Sequence, residues 1–194
     1  MGISDIEVIH AGPSVLTAFE GDETQHDGES PEDYVVRTAC EKARQAMDRI
    51  AAEGKTSLPV LAADTVVIWG DEILGKPEDA AKARLFMQKL SGRTHEVRTA
   101  VVVSDGISKQ LHVAVSISQV TFSKLSSKQI EAYIRTDEPY DKAGGYAVQG
   151  LAGLFIERIE GSYSGIMGLP VFETAQLLTK VAPQLLPDCA LTDR

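Results

Sequence analysis

Leu61-Ala62-Ala63-Asp64-Thr65-Val66-Val67-Ile68 is a strand-like run with a carboxylate in its middle. Small and β-branched residues of this kind suit extended, buried backbone. The run widens to residues 60–69, between Pro59 and the Gly70-Asp71 turn. An ionised Asp64 in such a place needs a cation, several hydrogen-bond donors or an opening to water, because burying it unpaired is very costly. Asp64 is therefore the first candidate for chemistry, as a metal ligand or as a base controlling attack by water. The structural alternative is a strand-end carboxylate that caps backbone amides.

Outward from this strand, Ser30 as N-cap, Pro31 at the first helical position and Asp33 at the third predict a helix start. Val35, Ala39, Ala43, Ala46, Met47 and Ile50 supply its apolar stripe, which ends before Gly54. On the other side, Gly75-Lys76-Pro77 leads into a helix over 79–90, stopped by Ser91-Gly92. Two strands follow over 95–104 and 109–122, with Asp105-Gly106 fitting a tight antiparallel connection. A helix starts near Ser126, where Gln129 is spaced for reciprocal capping. Residues 154–159 read as a strand and 171–181 as the last helix, with Pro183 and Pro187 opening a C-terminal tail over 183–194. Ile6 to Ile9 suit a short first strand, ahead of breaks at Gly12-Pro13 and Gly21. The alternation predicts one α/β domain over 1–182, with helices flanking a mixed twisted sheet.

The chain of 194 residues is 43% hydrophobic, enough to bury a substantial core. Nineteen Lys and Arg against 28 Asp and Glu give a net charge of −9, which argues against nonspecific binding to DNA or RNA. A small anionic ligand still fits if a few cations are concentrated in one cleft. Cys40 and Cys189 lie far apart without ligand spacing, so neither a disulfide framework nor a cysteine metal site is expected, and the cytoplasm is the expected setting. No charged leader followed by an apolar stretch opens the sequence and no apolar run approaches membrane length, so no membrane partner is expected.

A second carboxylate could complete a divalent-metal site with Asp64, and Glu23 in the irregular Asp22-Glu23-Thr24 segment is the candidate. Its alternative is an ordinary charged loop residue. In Gly75-Lys76-Pro77, glycine permits close backbone approach and proline restricts the turn, so Lys76 could present a cation reproducibly at a cleft. Lys42, in the first helix, could supply another anion contact. Both lysines with Asp64 suit a polyphosphate site, since ammonium and metal ions can neutralise charge developing on phosphoryl oxygens. In Lys142 to Gly150, the glycines allow a ligand to approach, and Gln149 can donate and accept hydrogen bonds at once. Tyr146 reads as core or cleft wall. No Gly-x-x-x-x-Gly-Lys-Ser/Thr loop, dinucleotide fingerprint, local zinc motif or Gly-x-Ser-x-Gly elbow occurs.

Together these stretches resemble the Maf family of nucleoside triphosphate pyrophosphatases. The match rests on Gly28-Glu29-Ser30-Pro31-Glu32-Asp33-Tyr34-Val35, Glu41-Lys42-Ala43, Ala63-Asp64-Thr65-Val66-Val67 and Leu74-Gly75-Lys76-Pro77. It continues through residues 90–99, residues 141–150 and Gly168-Leu169-Pro170, in family order over most of 22–182. The resemblance implies cleavage of a nucleoside triphosphate between its α and β phosphates, in a cleft between two intimate lobes, with Mg²⁺ or Mn²⁺. It implies acidic catalytic or metal-binding roles for Glu23 and Asp64, phosphate-facing roles for Lys42 and Lys76, and a nucleotide-pocket role for Gln149. In the proposed chemistry Lys76 also stabilises the pyrophosphate leaving group. Tyr146-Ala147-Val148-Gln149-Gly150 resembles the subgroup acting on dTTP and UTP, and a homodimer is expected.

One family motif is unmatched. Ser-x-Ser-Pro-Arg-Arg after a first strand has no counterpart here, and the only arginine before Lys42 is Arg37, inside the predicted helix. Either the sequence in hand omits that segment, which fits the otherwise intact motifs better, or the protein has diverged and lost positive charge from the polyphosphate end. The latter case gives the alternative function, a noncatalytic nucleotide-binding regulatory protein. A different metal-dependent phosphate hydrolase and a purely structural protein are the remaining readings.

Overall fold

The computed structural model describes residues 3, 6–9, 24–55 and 58–187. Glu23, the expected breaks at Gly12-Pro13 and Gly21, Cys189 and residues 188–194 of the expected tail lie outside them. Ile6 to Ile9 carry no regular structure, in place of the short strand expected there.

Helix α1 (Pro31–Ala52) begins as the capping residues predict, with the Ser30 hydroxyl oxygen accepting from the Asp33 amide at 3.1 Å. Strands β1 (Val60–Trp69) and β2 (Glu72–Leu74) form a hairpin, and α2 (Ala80–Leu90) is capped by Asp79. Strands β3 (Thr94–Ser104) and β4 (Leu111–Phe122) follow. Helix α3 (Ser127–Tyr133) has both bonds of the Ser126/Gln129 capping box. After short 3-10 turns at Glu138–Asp141, Ala143–Gly145 and Leu151–Leu154 come β5 (Ile156–Glu160), α4 (Tyr163–Ile166) and α5 (Val171–Val181).

The sheet order is β2-β1-β3-β4-β5 and every pairing among the described residues is antiparallel, which corrects the expectation of a mixed sheet. Strands β2 and β3, joined across α2, do run parallel to each other, but the antiparallel β1 lies between them and takes both sets of hydrogen bonds. Beyond α5, the 3-10 turn Pro183–Leu185 leads to Leu186, which is buried with Leu177 and Leu178.

Side-chain alternation along β1 and β3 divides the core. Val66, Ile68, Ala100 and Val102 face α1, packing on Tyr34, Val35, Ala39 and Ala43. On the opposite face Val67 and Val97 pack against Phe86, Met87 and Leu90 of α2, while Val101 and Val103 pack against Leu177 and Leu178 of α5. The two apolar clusters on this second face cover different ends of the strands.

His95, 4% exposed, belongs to the α2-side cluster, edge-on to Phe122 and Tyr146, with its Nε2 2.7 Å from the Tyr146 hydroxyl. Burial pushes the imidazole down from 6.5 to about 4. The unfolded chain therefore binds a proton below about pH 6.5 that the folded chain refuses until about pH 4. This contribution to stability is complete above pH 6.5 and is lost as pH falls through that window, by up to about 3 kcal/mol. Urea unfolding from pH 7 to 4.5 should show wild type losing more stability than His95→Gln; equal losses would remove His95 from the acid response.

Candidate active site

Strand β2 pairs only with Val67, Ile68 and Trp69, which leaves residues 60–66 of β1 as a sheet edge among the described residues. Asp64 sits on that edge. Its parity turns the side chain toward α1, where Thr38 and Lys42, one helical turn apart, meet it. Lys42 Nζ lies 2.5 Å from Asp64 Oδ1, and Thr38 Oγ1 lies 2.6 Å from Oδ2. The Thr38 hydroxyl also lies 3.0 Å from the Tyr34 carbonyl and 3.1 Å from that of Val35. All three neighbours are acceptors, so the single proton goes to the nearest and only charged one, Asp64. The carboxylate is 14% exposed and Lys42 25%, so the pair is largely shielded yet open to a ligand.

Round this edge, over the opposite face of β1 and β3, lies a cavity of about 360 Å³ lined by Asp64, Lys76 and Gln149, with Val67, Val97 and Tyr146 among its apolar walls. Lys76 and Gln149 come together through the glycine pair that separates them in sequence. The Gly144 amide donates to the Gly75 carbonyl at 3.0 Å, tying the 142–149 segment to the turn that carries Lys76. Gly144 has φ +68, and a Cβ there would stand 2.8 Å from Val67 Cγ1, so only glycine lets the segment lie this close to β1. The Tyr146 ring, anchored by His95, forms the wall expected of it.

On the far side of the cavity, Thr99 donates to the Gly165 carbonyl at 2.7 Å. With that proton committed, Thr65 is the donor across the 2.8 Å contact between the two hydroxyls. This relay fixes α4, and with it the Ile166–Gly168 wall, to the strands.

Four of the five site residues expected from sequence thus belong to one neighbourhood, with Lys42 attached through Asp64; Glu23 lies outside the described residues. Other contributors were missed. Thr38 was legible as the position four before Lys42 on the same helix face. Asp141 and Lys142 line the cavity beside Lys76 and pair at 2.6 Å, and Lys142, with Lys76 further off, holds the Asp141 carboxyl below its ordinary range. Glu138, whose carboxylate binds the turn just after Gln149, gave no sequence signal.

Among the described residues no three His, Cys, Asp or Glu side chains group as a metal site. Asp64 and Asp141 nevertheless give the cavity two carboxylates. Magnesium keeps several waters and takes one or two carboxylates together with substrate phosphates, so this oxygen donor set fits a divalent ion arriving with a polyphosphate. No described helix is long and apolar enough to cross a membrane.

The profile of the family described as Maf-like protein matches residues 5–181. The chain is 50% identical over 156 residues to the dTTP/UTP pyrophosphatase of Cupriavidus pinatubonensis, an overlap covering 80% of this chain and 77% of that protein. It is 47% identical over 170 residues to the nucleoside triphosphate pyrophosphatase of Haemophilus ducreyi, covering 88% of this chain and 85% of that one. A third relative, the dTTP/UTP pyrophosphatase of Cupriavidus metallidurans, is 51% identical over 156 residues, covering 80% of this chain and 77% of that one. The family match takes in every element from α1 to the end of α5, and the chain belongs to the Maf family.

Proposed function

We propose that the chain hydrolyses dTTP and UTP to the nucleoside monophosphate and pyrophosphate, in a cleft whose two lobes are the α1 side of β1 and the side bearing α2 and the 138–154 turns. The observation that carries this reading is a carboxylate, oriented by Thr38 and Lys42, at the edge of a cavity that also receives Lys76 and Gln149. The relatives, two dTTP/UTP pyrophosphatases and a nucleoside triphosphate pyrophosphatase, support the same chemistry.

In this reading Asp64 orients a water molecule, or takes its proton, as the water oxygen attacks the α phosphorus. The bond from that phosphorus to the bridging oxygen breaks, and pyrophosphate leaves with the oxygen. Lys42 and Lys76 offset the charge that accumulates on the leaving group. Asp64 would hold Mg²⁺ or Mn²⁺ with Glu23, as the family resemblance implies, and Asp141 is the second carboxylate lining the cavity; the ion would polarise phosphoryl oxygens. The Gln149 carboxamide accepts from N3–H and donates to O4, a pattern that thymine and uracil share and cytosine lacks. A working unit over residues 1–182, assembled as a homodimer in the cytoplasm, belongs to the same reading.

The deciding experiment compares dTTP, UTP, CTP and GTP with and without Mg²⁺ or Mn²⁺, separating monophosphate, pyrophosphate and orthophosphate. Monophosphate with pyrophosphate, fastest from dTTP and UTP, is expected. Orthophosphate as the first product would reject the bond assignment, and binding without turnover would leave a nucleotide-binding regulator.

A further inference from the structure

Gln149 is exposed and sits on a turn, a poor platform for discriminating nucleobases unless something fixes the backbone beneath it. That something is a carboxylate eleven residues earlier. Glu138 Oε2 accepts from the Leu151 amide at 2.6 Å, and Oε1 accepts from the Ala152 amide at 3.0 Å. The Tyr133 hydroxyl lies 3.0 Å from Oε1 and 3.1 Å from the Gly145 carbonyl, linking the carboxylate to the glycine pair as well.

The turn also closes on itself, with the Gly150 amide donating to the Ala147 carbonyl at 3.0 Å. It wraps Glu138 so closely that a Cβ on Gly150 would stand 2.4 Å from Oε2. Burial acts to raise the Glu138 carboxyl, but the hydrogen bonds from Ala152, Leu151 and Tyr133 hold the group below its ordinary value. The anion is therefore the form that organises the turn. Its amide partners, Leu151 and Ala152, follow Gln149 directly, while the Gly150 bond to the Ala147 carbonyl and the Tyr133 hydroxyl beside the Gly145 carbonyl hold the side before it, so the side chain that faces the cavity is carried by backbone tied down at either end.

We propose that Glu138 is the positioning residue for base recognition: by gathering the amides of the turn that follows Gln149, it sets the one orientation in which the Gln149 carboxamide meets the nucleobase. This rests on the dTTP/UTP reading of the cavity and deepens it. Glu138 touches no substrate and acts through Gln149 alone.

The test measures kcat and KM for dTTP and dCTP in wild type, Glu138→Gln, Gln149→Ala and the double variant, with melting temperatures alongside. Glu138→Gln keeps the shape but replaces an acceptor with an NH₂ donor facing N–H groups. It should lower the dTTP-to-dCTP ratio of kcat/KM by about tenfold, with KM carrying the larger part of the loss. In the Gln149→Ala background the same change should leave the ratio where Gln149→Ala already put it. If Glu138→Gln does not fold, Gly150→Ala, whose methyl collides with the carboxylate, carries the same readout. A wild type that releases pyrophosphate from neither nucleotide, or from both equally, overturns the reading of the cavity and this proposal with it. A discriminating wild type whose variants lose melting temperature but keep the ratio overturns the positioning role alone.

Discussion

Asp64→Asn is expected to slow pyrophosphate release from dTTP by about 10²–10⁴-fold, the range over which a positioned general base acts. The variant should fold. The amide oxygen of the substituted side chain can still accept the Thr38 proton now 2.6 Å from the carboxylate, and Lys42, 25% exposed, can rehydrate when its partner loses charge. What disappears is the anion that accepts a proton or a metal. Nucleotide binding measured without metal should not weaken, because the change removes a negative charge beside a triphosphate and loosens the hold on Lys42. A loss confined to kcat with binding intact is the signature of an interaction made in the transition state. A folded variant turning over dTTP at the wild-type rate would remove Asp64 from the mechanism.

Much of the fold was legible because its signals are local. The Ser30 cap and the Ser126/Gln129 box each concern residues three apart, and both form as spaced. The β1 run was bounded by Pro59 and Gly70, and the strand fills it. Where signals compete, the edges moved. Asp105-Gly106 suggested a tight hairpin, but the Asp105 carboxylate accepts from the Ile107 and Ser108 amides and Lys109 adopts φ +57, so the loop extends and β4 starts at Leu111. The strand pattern of residues 154–159 takes in Leu154, yet the 3-10 turn Leu151–Leu154 claims it, leaving β5 to begin at Ile156. Helix α4, four residues long, is too short to show a period.

The site follows the same rule. Asp64 stood out because a charge in an apolar run conflicts with its surroundings. Glu138 did not, because its partners are backbone amides, which every sequence possesses, and only the fold brings the carboxylate to those thirteen and fourteen residues ahead. The all-antiparallel sheet was also beyond sequence alone, since it depends on which side of β1 the chain returns to after α2.

Phe122→Ala is expected to be the most destabilising of the substitutions considered, at about 3–5 kcal/mol. Phe122 is 1% exposed and is the hub of the aromatic cluster, with ring centroids 5.3 Å from His95, 5.0 Å from Tyr146 and 6.5 Å from Phe155. Its backbone is equally constrained: the amide donates to the Arg93 carbonyl at 3.0 Å, and the register between β4 and β5 shifts there, so the site has little freedom to collapse around a missing ring. Against a total stability of about 5–15 kcal/mol, such a loss lowers the melting temperature by about 6–20 °C in a chain of this size. The ring also supports the cavity wall, since the Tyr146 that lines it packs edge-on against Phe122. Phe122→Ala should therefore raise KM for dTTP at temperatures where the variant is still folded. Phe122→Leu, which refills most of the volume but restores no edge-on contact to Tyr146, should recover much of the melting temperature and less of the KM. Calorimetry and steady-state kinetics on the two variants separate volume from ring geometry: if Phe122→Leu restores both equally, Phe122 acts only as filler beneath the site.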